Sequence, residues 1–270
     1  MPDCVWTPFG PPELITGLEL SGNQYGPALS SDAVTLILAE VAGGGLENLY
    51  VATRSDRGTT FSAAAAIAEL NTADDEGTPF LSYDGLTLYF YSTRSEGLGD
   101  RDILFATRPD TAAQFTDAVW LEGVNTADRE HLPTLTQDEL SIVFSSNRAG
   151  GEGESDLWTA QRASRSDAFG VPVALSEINT AGDETGPSLS PDGLTLFFVS
   201  DDASGLGSED IWMATRPDAN GPFEAPVNVA EVNSDGSEID PAISADGREL
   251  FFSAVTSGSR EIWRSVRECL

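Results

Sequence analysis

The chain repeats one segment five times at an almost constant interval, and this repetition constrains its fold more than any other feature. The segment GPSLSPDGLTLFF, residues 186–198, recurs in similar form around four other prolines. A period of this length is typical of a modular array or ring in which each copy is one structural unit. The prolines are spaced 52, 54, 54 and 54 residues apart, and a phenylalanine column has the same spacing: Pro27, Pro79, Pro133, Pro187 and Pro241; Phe9, Phe61, Phe115, Phe169 and Phe223.

Within each unit, short apolar runs are bounded by turn residues, and no run has a helical period. In the fourth unit, LTLFFVS and DIWMATR have the composition of strands, and SPDG between PSLS and LTLFF reads as a tight turn. A further run such as PVNVAEVN supplies another strand. Four short strands per unit predict the blade of a β-propeller. Ala33 and Glu139 replace the glycine of this turn in two units, where we expect a different turn.

The two ends of the chain supply complementary parts of one unit. The last unit stops at REIWRSVRECL without a fourth strand, whereas residues 9–21 match residues 223–234. Completing the last blade with an N-terminal strand would remove two open sheet edges. We therefore predict an all-β five-bladed propeller with four antiparallel strands per blade. It forms a single domain, residues 1–270, with repeats starting near 26, 78, 132, 186 and 240 and a strand near 12–20 closing the last blade. The alternative, a longer propeller cut short, is disfavoured by the matching ends.

The two cysteines fall at the point where the ends overlap. Cys4 and Cys269 occupy the same repeat position, that of Asp218. Ends that overlap in a ring should lie close enough for a disulfide, and a disulfide would indicate an oxidising compartment. The alternatives are two free thiols, or a lipid anchor on Cys4, although MPDC lacks the small apolar residues that would precede such a cysteine.

The segment SLSPDGLTLFF followed by DIWMATR resembles the Pro-Asp variant of the WD-type propeller repeat, the kind found in TolB-like periplasmic propellers. The resemblance spans essentially the whole chain. It implies a non-enzymatic module for binding or scaffolding that is periplasmic or secreted, and whose acidic face meets a protein partner or a small ligand. Five-bladed propellers also resemble the scaffold of several glycosidase families, so the alternative is a carbohydrate-active hydrolase.

The composition narrows the choice of partners. The chain has 44 acidic and 14 basic residues, a net charge of −30, and every basic residue is arginine. Such a charge repels nucleic acid and anionic membranes. An apolar run of 18 residues is absent from the sequence, so we expect no membrane insertion, and we expect a monomer.

One polar column is the main candidate for a binding site. It stands three residues before each proline, at the start of the innermost strand, and should form a ring at the mouth of the central channel. Converging carboxylates would repel one another, and a hard cation such as Ca²⁺, held by the four glutamates with the amide in the fifth place, would relieve the repulsion. The alternative is that backbone N–H groups satisfy each carboxylate. The column is Gln24, Glu76, Glu130, Glu184 and Glu238.

Two further sets of residues have structural interpretations. Asp102, Asp156 and Asp210 open the third strand of their units, where we expect them to cap hairpins, paired with Arg94 or Arg148. His131 is the only histidine, and in an exposed loop it is incidental more often than catalytic.

Overall fold

A computed structural model describes residues 4–43, 45–256 and 258–270 of the chain. In this part of the chain, twenty strands form five antiparallel sheets of four strands each. The first strand in chain order is β1 (Glu13–Leu14), and it belongs to the last blade. Blade 1 contains β2 (Asn23–Leu29), β3 (Thr35–Val41), β4 (Glu47–Thr53) and β5 (Ala65–Ala66). Blade 2 contains β6 (Glu76–Leu81), β7 (Thr87–Ser92), β8 (Asp102–Thr107) and β9 (Val119–Trp120).

Blades 3 to 5 repeat this order. Blade 3 contains β10 (Glu130–Leu135), β11 (Ser141–Ser146), β12 (Asp156–Gln161) and β13 (Val173–Ala174). Blade 4 contains β14 (Glu184–Leu189), β15 (Thr195–Ser200), β16 (Asp210–Thr215) and β17 (Val227–Asn228). Blade 5 contains β18 (Glu238–Ile243), β19 (Glu249–Thr256) and β20 (Ser259–Val266), and β1 completes it.

The N-terminal strand closes the ring, as predicted. β1 pairs antiparallel with β20, with Glu13 opposite Arg264 and Leu14 opposite Trp263. The five-bladed architecture with four antiparallel strands per blade is therefore confirmed. The closing strand is shorter than the predicted span of 12–20, because every outermost strand has only two residues before the chain turns back towards the axis.

The Ser-x-Asp-Gly turns join the first and second strands on one side of the ring, which we call the turn face. In blade 4, the Ser190 hydroxyl donates to Asp192, whose carboxylate accepts the backbone N–H of Leu194. Ala33 and Glu139 keep the same turn rather than a different one, because both adopt the left-handed conformation, with φ of 58° and 59°. The missing glycine therefore changes the strain of the turn and not its shape.

Each phenylalanine of the column packs against an arginine that directly follows the third strand of its blade. In blade 4 the Arg216 guanidinium lies 4.3 Å from the centre of the Phe223 ring, and its Nε donates to the carbonyl of Gly193 in the turn. The other four blades repeat both contacts through Arg54, Arg108, Arg162 and Arg267. A planar guanidinium can stack on a ring and donate in its own plane, which suits arginine better than lysine.

The hydrophobic core lies between neighbouring blades. One cluster joins Ile37 of blade 1 to Leu88 and Phe90 of blade 2, all no more than 1% exposed. No helix in the described ranges is long and apolar enough to cross a membrane.

The predicted disulfide is present. Cys4 and Cys269 are bonded, with their Cα atoms 5.4 Å apart, and Trp6 pairs with Cys269 beside the bridge. The bridge joins the two ends of the ring across 265 positions of sequence.

We expect reduction of this disulfide to lower the free energy of unfolding by about 2–4 kcal/mol, because the unfolded chain gains freedom once its ends separate. Urea unfolding with and without reductant measures the loss, and a Cys4→Ser/Cys269→Ser variant should unfold like the reduced parent and be insensitive to reductant. Equal stability in both conditions would show that the bridge is not formed in solution.

Candidate functional site

The predicted ring residues lie at the start of the innermost strands, but their side chains are used inside their own blades. All five are buried, with exposed fractions of 7% for Gln24 and no more than 4% for the glutamates. In blade 3, Glu130 accepts hydrogen bonds from the Thr126 backbone N–H at 2.6 Å and from the Ser146 hydroxyl at 2.8 Å. Arg148 completes the set as an ion pair at 2.9 Å. Blade 2 repeats this arrangement with Glu76, Thr72, Ser92 and Arg94.

The other three blades have no arginine at the position of Arg94 and Arg148: the residue is Ala42 in blade 1, Asp202 in blade 4 and Thr256 in blade 5. In blade 4, Asp202 stands where blades 2 and 3 have arginine, and burial raises the pKa of Glu184. In blade 1 the acid has moved one strand outwards: Glu40, opposite Gln24, accepts the backbone N–H groups of Ser21 and Gly22. The column glutamates therefore organise the loop that enters each of blades 2 to 5, and Glu40 does so in blade 1.

Ligand or calcium binding by this ring stays a prediction, and the observed contacts favour the alternative in which backbone donors satisfy the carboxylates. Among the described residues, no group of three or more His, Cys, Asp or Glu side chains is arranged to hold a metal ion. Calorimetric titration with Ca²⁺ of the chelator-treated parent and of Glu184→Gln tests the prediction.

The second acidic column caps loops, as expected, but without the expected arginines. Asp156 accepts the backbone N–H groups of Glu152 and Gly153, and Asp210 accepts those of Leu206 and Gly207. The proposed pairing with Arg94 or Arg148 is wrong, because those arginines bind the buried glutamates Glu76 and Glu130 instead.

A pocket of about 460 Å³ occupies the mouth of the central channel, on the side opposite the turn face. Its lining comes from all five blades and does not repeat: Tyr25, Val41, Gly45, Glu47, Asp75, Thr78, Tyr91, Arg101, His131, Leu132, Thr185, Glu209, Ile239 and Asp240. None of these residues belongs to the predicted ring. We call this space the mouth pocket.

The innermost strands give the mouth pocket its shape. Each contains a β-bulge just before its proline, and the bulged residue has a left-handed φ. Three of these residues are not glycine: Thr78, Leu132 and Asp240, with φ of 43°, 53° and 53°. They line both the mouth pocket and the channel below it, so they form the throat between the two.

One side of the mouth pocket holds a cluster around Tyr91. The Tyr91 hydroxyl donates to the Glu47 carboxylate, and the Arg101 guanidinium lies 4.6 Å from the centre of the Tyr91 ring. The imidazole of His131 meets the same ring edge-on at 6.4 Å. Gly77 lets Glu47 approach, because a side chain at Gly77 would collide with the Glu47 carboxylate and the Tyr91 ring.

His131 is part of this cluster and lies in β10, so its predicted place in an exposed loop is wrong, whereas its role stays untested. It is the second residue of β10, and its side chain turns towards the channel because side chains alternate along a strand and Glu130 turns into the blade. Its Nδ1 atom has no hydrogen-bond partner among the described residues. Burial, together with Arg101 and Arg129, lowers the pKa of His131 to about 3, so the imidazole is neutral at physiological pH.

The opposite side of the mouth pocket holds two carboxylates. Asp240 is 8% exposed, and its carboxylate accepts the backbone N–H of Gly26 at 3.0 Å. Glu209 accepts the Ser237 hydroxyl at 2.6 Å. Burial raises the pKa of Asp240, Arg260 opposes that shift, and Glu209 adds to it.

Burial raises the pKa of Glu47 to about 7, and its bond to Tyr91 opposes the shift only in part. The folded protein therefore binds this proton more tightly than the unfolded chain, so stability is lost as the pH rises from about 4.5 to about 7. Each tenfold difference in proton affinity corresponds to about 1.4 kcal/mol, so the loss is of the order of 3 kcal/mol. We expect Glu47→Gln to gain stability relative to the parent between pH 5 and pH 8, measured by urea unfolding at each pH. A pH-independent difference would contradict the assignment.

The channel below the mouth pocket is narrow. Its volume is about 50 Å³, and the five column prolines line it. At the turn face, Tyr83 of blade 2 reaches across and donates its hydroxyl to the Leu189 carbonyl of blade 4 at 3.0 Å. Tyr83 therefore links blades 2 and 4 across the turn-face end of the channel.

Sequence reasoning missed the mouth pocket because it searched for residues that repeat. The available signal was the opposite one: directly after the repeated glutamates come Gly77, His131, Thr185 and Ile239, which have nothing in common. A position that varies among copies of one repeat, beside positions that do not, indicates that the local fold does not determine it.

Solved structures of two kinds share this fold. TolB from Acinetobacter baumannii is similar with a TM-score of 0.51 and 16% identity over 91% of this chain and 54% of that protein, so the chain spans about half its length. An alpha-L-arabinofuranosidase from Podospora anserina in complex with cellotriose is similar with a TM-score of 0.64 and 12% identity over 98% of this chain and 97% of that one. The catalytic domain of a GH62 alpha-L-arabinofuranosidase from Coprinopsis cinerea has a TM-score of 0.62 and 13% identity over the same fractions.

No protein-family model and no curated protein matches the sequence. At these identities the similarities establish the fold, and the fold fits both a TolB-like propeller and an arabinofuranosidase-like one.

Proposed function

We propose that this chain is a non-enzymatic binding propeller, exported to an oxidising compartment, whose ligand or protein partner occupies the mouth pocket. The observation that carries the proposal is that the residues lining the mouth pocket differ from blade to blade. The glutamates that repeat are used by their own blades, whereas Glu47, Arg101, His131 and Asp240 each come from a different blade. Residues that fold a blade recur in every copy, but one ligand on the axis of a ring needs a different residue from each side.

The hydrogen bonds of the carboxylates support the binding proposal. A glycosidase needs one carboxyl group that gives a proton to the leaving oxygen and another that activates water or attacks the sugar. In the mouth pocket, Glu47 is bonded to Tyr91, Asp75 accepts the backbone N–H of Glu47, and Asp240 accepts that of Gly26. These groups are positioned by protein donors, which suits recognition.

The disulfide supports the proposed location. A bridge between Cys4 and Cys269 persists where thiols are oxidised, as in the periplasm or outside the cell. The TolB similarity is in keeping with a periplasmic module, and export itself is part of the proposal.

A thermal-shift screen tests the proposal with small metabolites, oligosaccharides and short peptides on the parent and on Arg101→Met. The expected result is a compound that raises the melting temperature of the parent and not of the variant. Arg129→Met is the matched control, because Arg129 pairs with Arg101 in an isolated bridge between blades 2 and 3 but does not line the mouth pocket. A complete absence of shifts, or a shift that Arg101→Met retains, would contradict a site at the mouth.

A hydrolase is the second candidate, because the mouth pocket holds carboxylates of unequal kind from different blades and arabinofuranosidases share the fold. Incubation with aryl glycosides, including an aryl α-L-arabinofuranoside, tests this candidate. Turnover that disappears in Glu47→Gln or Asp240→Asn, or in a Glu→Gln variant of the ring, would replace the binding proposal.

A further inference from the structure

We propose that the mouth pocket binds a small zwitterion of the α-amino acid class, with its carboxylate at Arg101 and its ammonium group at Asp240. The inference rests on the proposed function, because it assumes that the mouth pocket is the ligand site. It adds the chemical class of the ligand and the residue that receives each charge.

Arg101 supplies an unused set of donors. Its guanidinium stacks on Tyr91 and makes no hydrogen bond or ion pair with any of the described residues. Other arginines that face carboxylates here, such as Arg94 and Arg148, are paired within 3.1 Å. A stacked guanidinium with free N–H groups is suited to a planar carboxylate, which it can bind through two parallel hydrogen bonds.

On the same side, His131 adds a second polar group that lacks a hydrogen-bond partner among the described residues. Its Nδ1 atom is buried without a partner among the described residues, although buried polar atoms are normally hydrogen-bonded. A ligand that carries both donor and acceptor groups would satisfy Arg101 and His131 together.

Asp240 supplies the acceptor on the other side. It is the only carboxylate among the five bulged residues of the innermost strands, and it holds a left-handed φ that costs energy for a residue other than glycine. It lies at the throat, so a group that enters the mouth pocket reaches it before the narrow channel. Glu209, on the same side, adds a second negative charge.

The remaining charged groups around Asp240 make no direct ion pair with it among the described residues. Arg260 lowers the pKa of Asp240 from a distance, but it forms no ion pair with Asp240 among the described contacts and donates to Ser237 instead. Glu47 and Asp75 are bound by Tyr91 and by the backbone of Glu47. The mouth pocket thus presents the free donors of Arg101, beside the hydrogen-bonded Glu47 and Asp75, on one side, and Asp240 and Glu209 on the other.

This division of charge decides the class of ligand. A simple anion would bind Arg101 but would face Asp240 and Glu209, and a simple cation would face Arg101. A neutral sugar would leave both charges without a partner of opposite charge. A zwitterion matches both sides, and about 460 Å³ accommodates one amino acid.

Calorimetric titration of the intact protein with L-serine, L-leucine and L-glutamine tests the inference. Each amino acid is compared with its methyl ester, which keeps only the ammonium group, and with its N-acetyl form, which keeps only the carboxylate. We expect at least one amino acid to bind, and either modification to weaken binding tenfold or more.

Two variants and two controls locate the binding. Arg101→Met and Asp240→Asn should each weaken the amino acid at least tenfold. Asparagine suits this position because it tolerates a left-handed φ and keeps an oxygen for the Gly26 N–H. Arg129→Met and the exposed Asp235→Asn remove the same charges outside the mouth pocket and should bind like the parent.

The outcomes separate this inference from the proposed function. Binding of a monosaccharide or a peptide that Arg101→Met abolishes would overturn the zwitterion and leave the mouth pocket as the ligand site. Binding of an amino acid that neither variant weakens would overturn both. Binding of the ester as tightly as the free amino acid would overturn the role of Arg101. Absence of any heat with all three amino acids would overturn the ligand class.

Discussion

Replacing Arg148 with alanine should lower the free energy of unfolding by about 3–5 kcal/mol, because it leaves the buried Glu130 without its counter-charge. Glu130 is fully buried, and Arg148 bonds it at 2.9 Å while donating to the Val124 carbonyl at 2.7 Å. The same guanidinium lies 4.9 Å from the centre of the Phe144 ring. Urea unfolding at pH 7 measures the loss.

The matched control is Arg248→Ala, which removes the same side chain from an exposed position in a turn and should change stability by less than about 0.5 kcal/mol. An equal loss in both variants would mean that charge on the whole surface, and not the pair with Glu130, is responsible.

Blade 4 offers the reciprocal experiment. Asp202 stands where Arg148 stands in blade 3, while Glu184 keeps its bonds to Thr180 and Ser200. Asp202→Arg should raise the free energy of unfolding by about 1.5–3 kcal/mol, the range for hydrogen bonds to charged groups. The gain should be larger at pH 8 than at pH 5, because the raised pKa of Glu184 leaves it more ionised at the higher pH. A destabilised Asp202→Arg variant would show that blade 4 has no room for the guanidinium.

Replacing Phe169 with alanine should cost about 3–5 kcal/mol, the range for truncating a buried aromatic side chain. Phe169 is 4% exposed and packs between blades 2 and 3, with the Arg162 guanidinium 4.5 Å from its ring centre. The loss combines a cavity in the core with the loss of the surface on which Arg162 stacks. Denaturant unfolding measures it, and Phe169→Leu should lose less because leucine fills most of the volume.

Val171→Ala is the control for this prediction. Val171 is two residues further along the same segment and is 89% exposed, so its truncation should leave stability unchanged within about 0.5 kcal/mol. A loss below 1 kcal/mol in Phe169→Ala would show that the phenylalanine column is not part of the core.

The two acidic features of the chain have different roles. The repeated glutamates stabilise the loops that enter the blades, and removing one should affect stability first. The acids of the mouth pocket do not recur, and Glu47 and Asp240 are held with raised pKa values, a combination that is common at binding sites. Substitutions in the mouth pocket should therefore change ligand binding more than stability, with the pH dependence from Glu47 as the exception.

The sequence by itself determined the blade, the number of blades and the closure of the ring. These follow from local rules that every copy obeys: a Ser-x-Asp-Gly turn, apolar strands of fixed length and a constant period. The disulfide was predictable for the same reason, since Cys4 and Cys269 share one position of the repeat. Because the pattern occurs five times, the residues that the fold requires can be distinguished from those that vary between copies.

Only the tertiary structure decided where each side chain points and what faces it across the ring. The sequence places Glu130 and His131 side by side, but the strand turns the first into its blade and the second into the channel. Arg101 and Asp240 are 139 positions apart in the chain, and only closure of the ring brings them to one pocket. The repeat pattern in the sequence shows which residues the five copies share. The residues in which the copies differ come together only in the folded ring, at its axis.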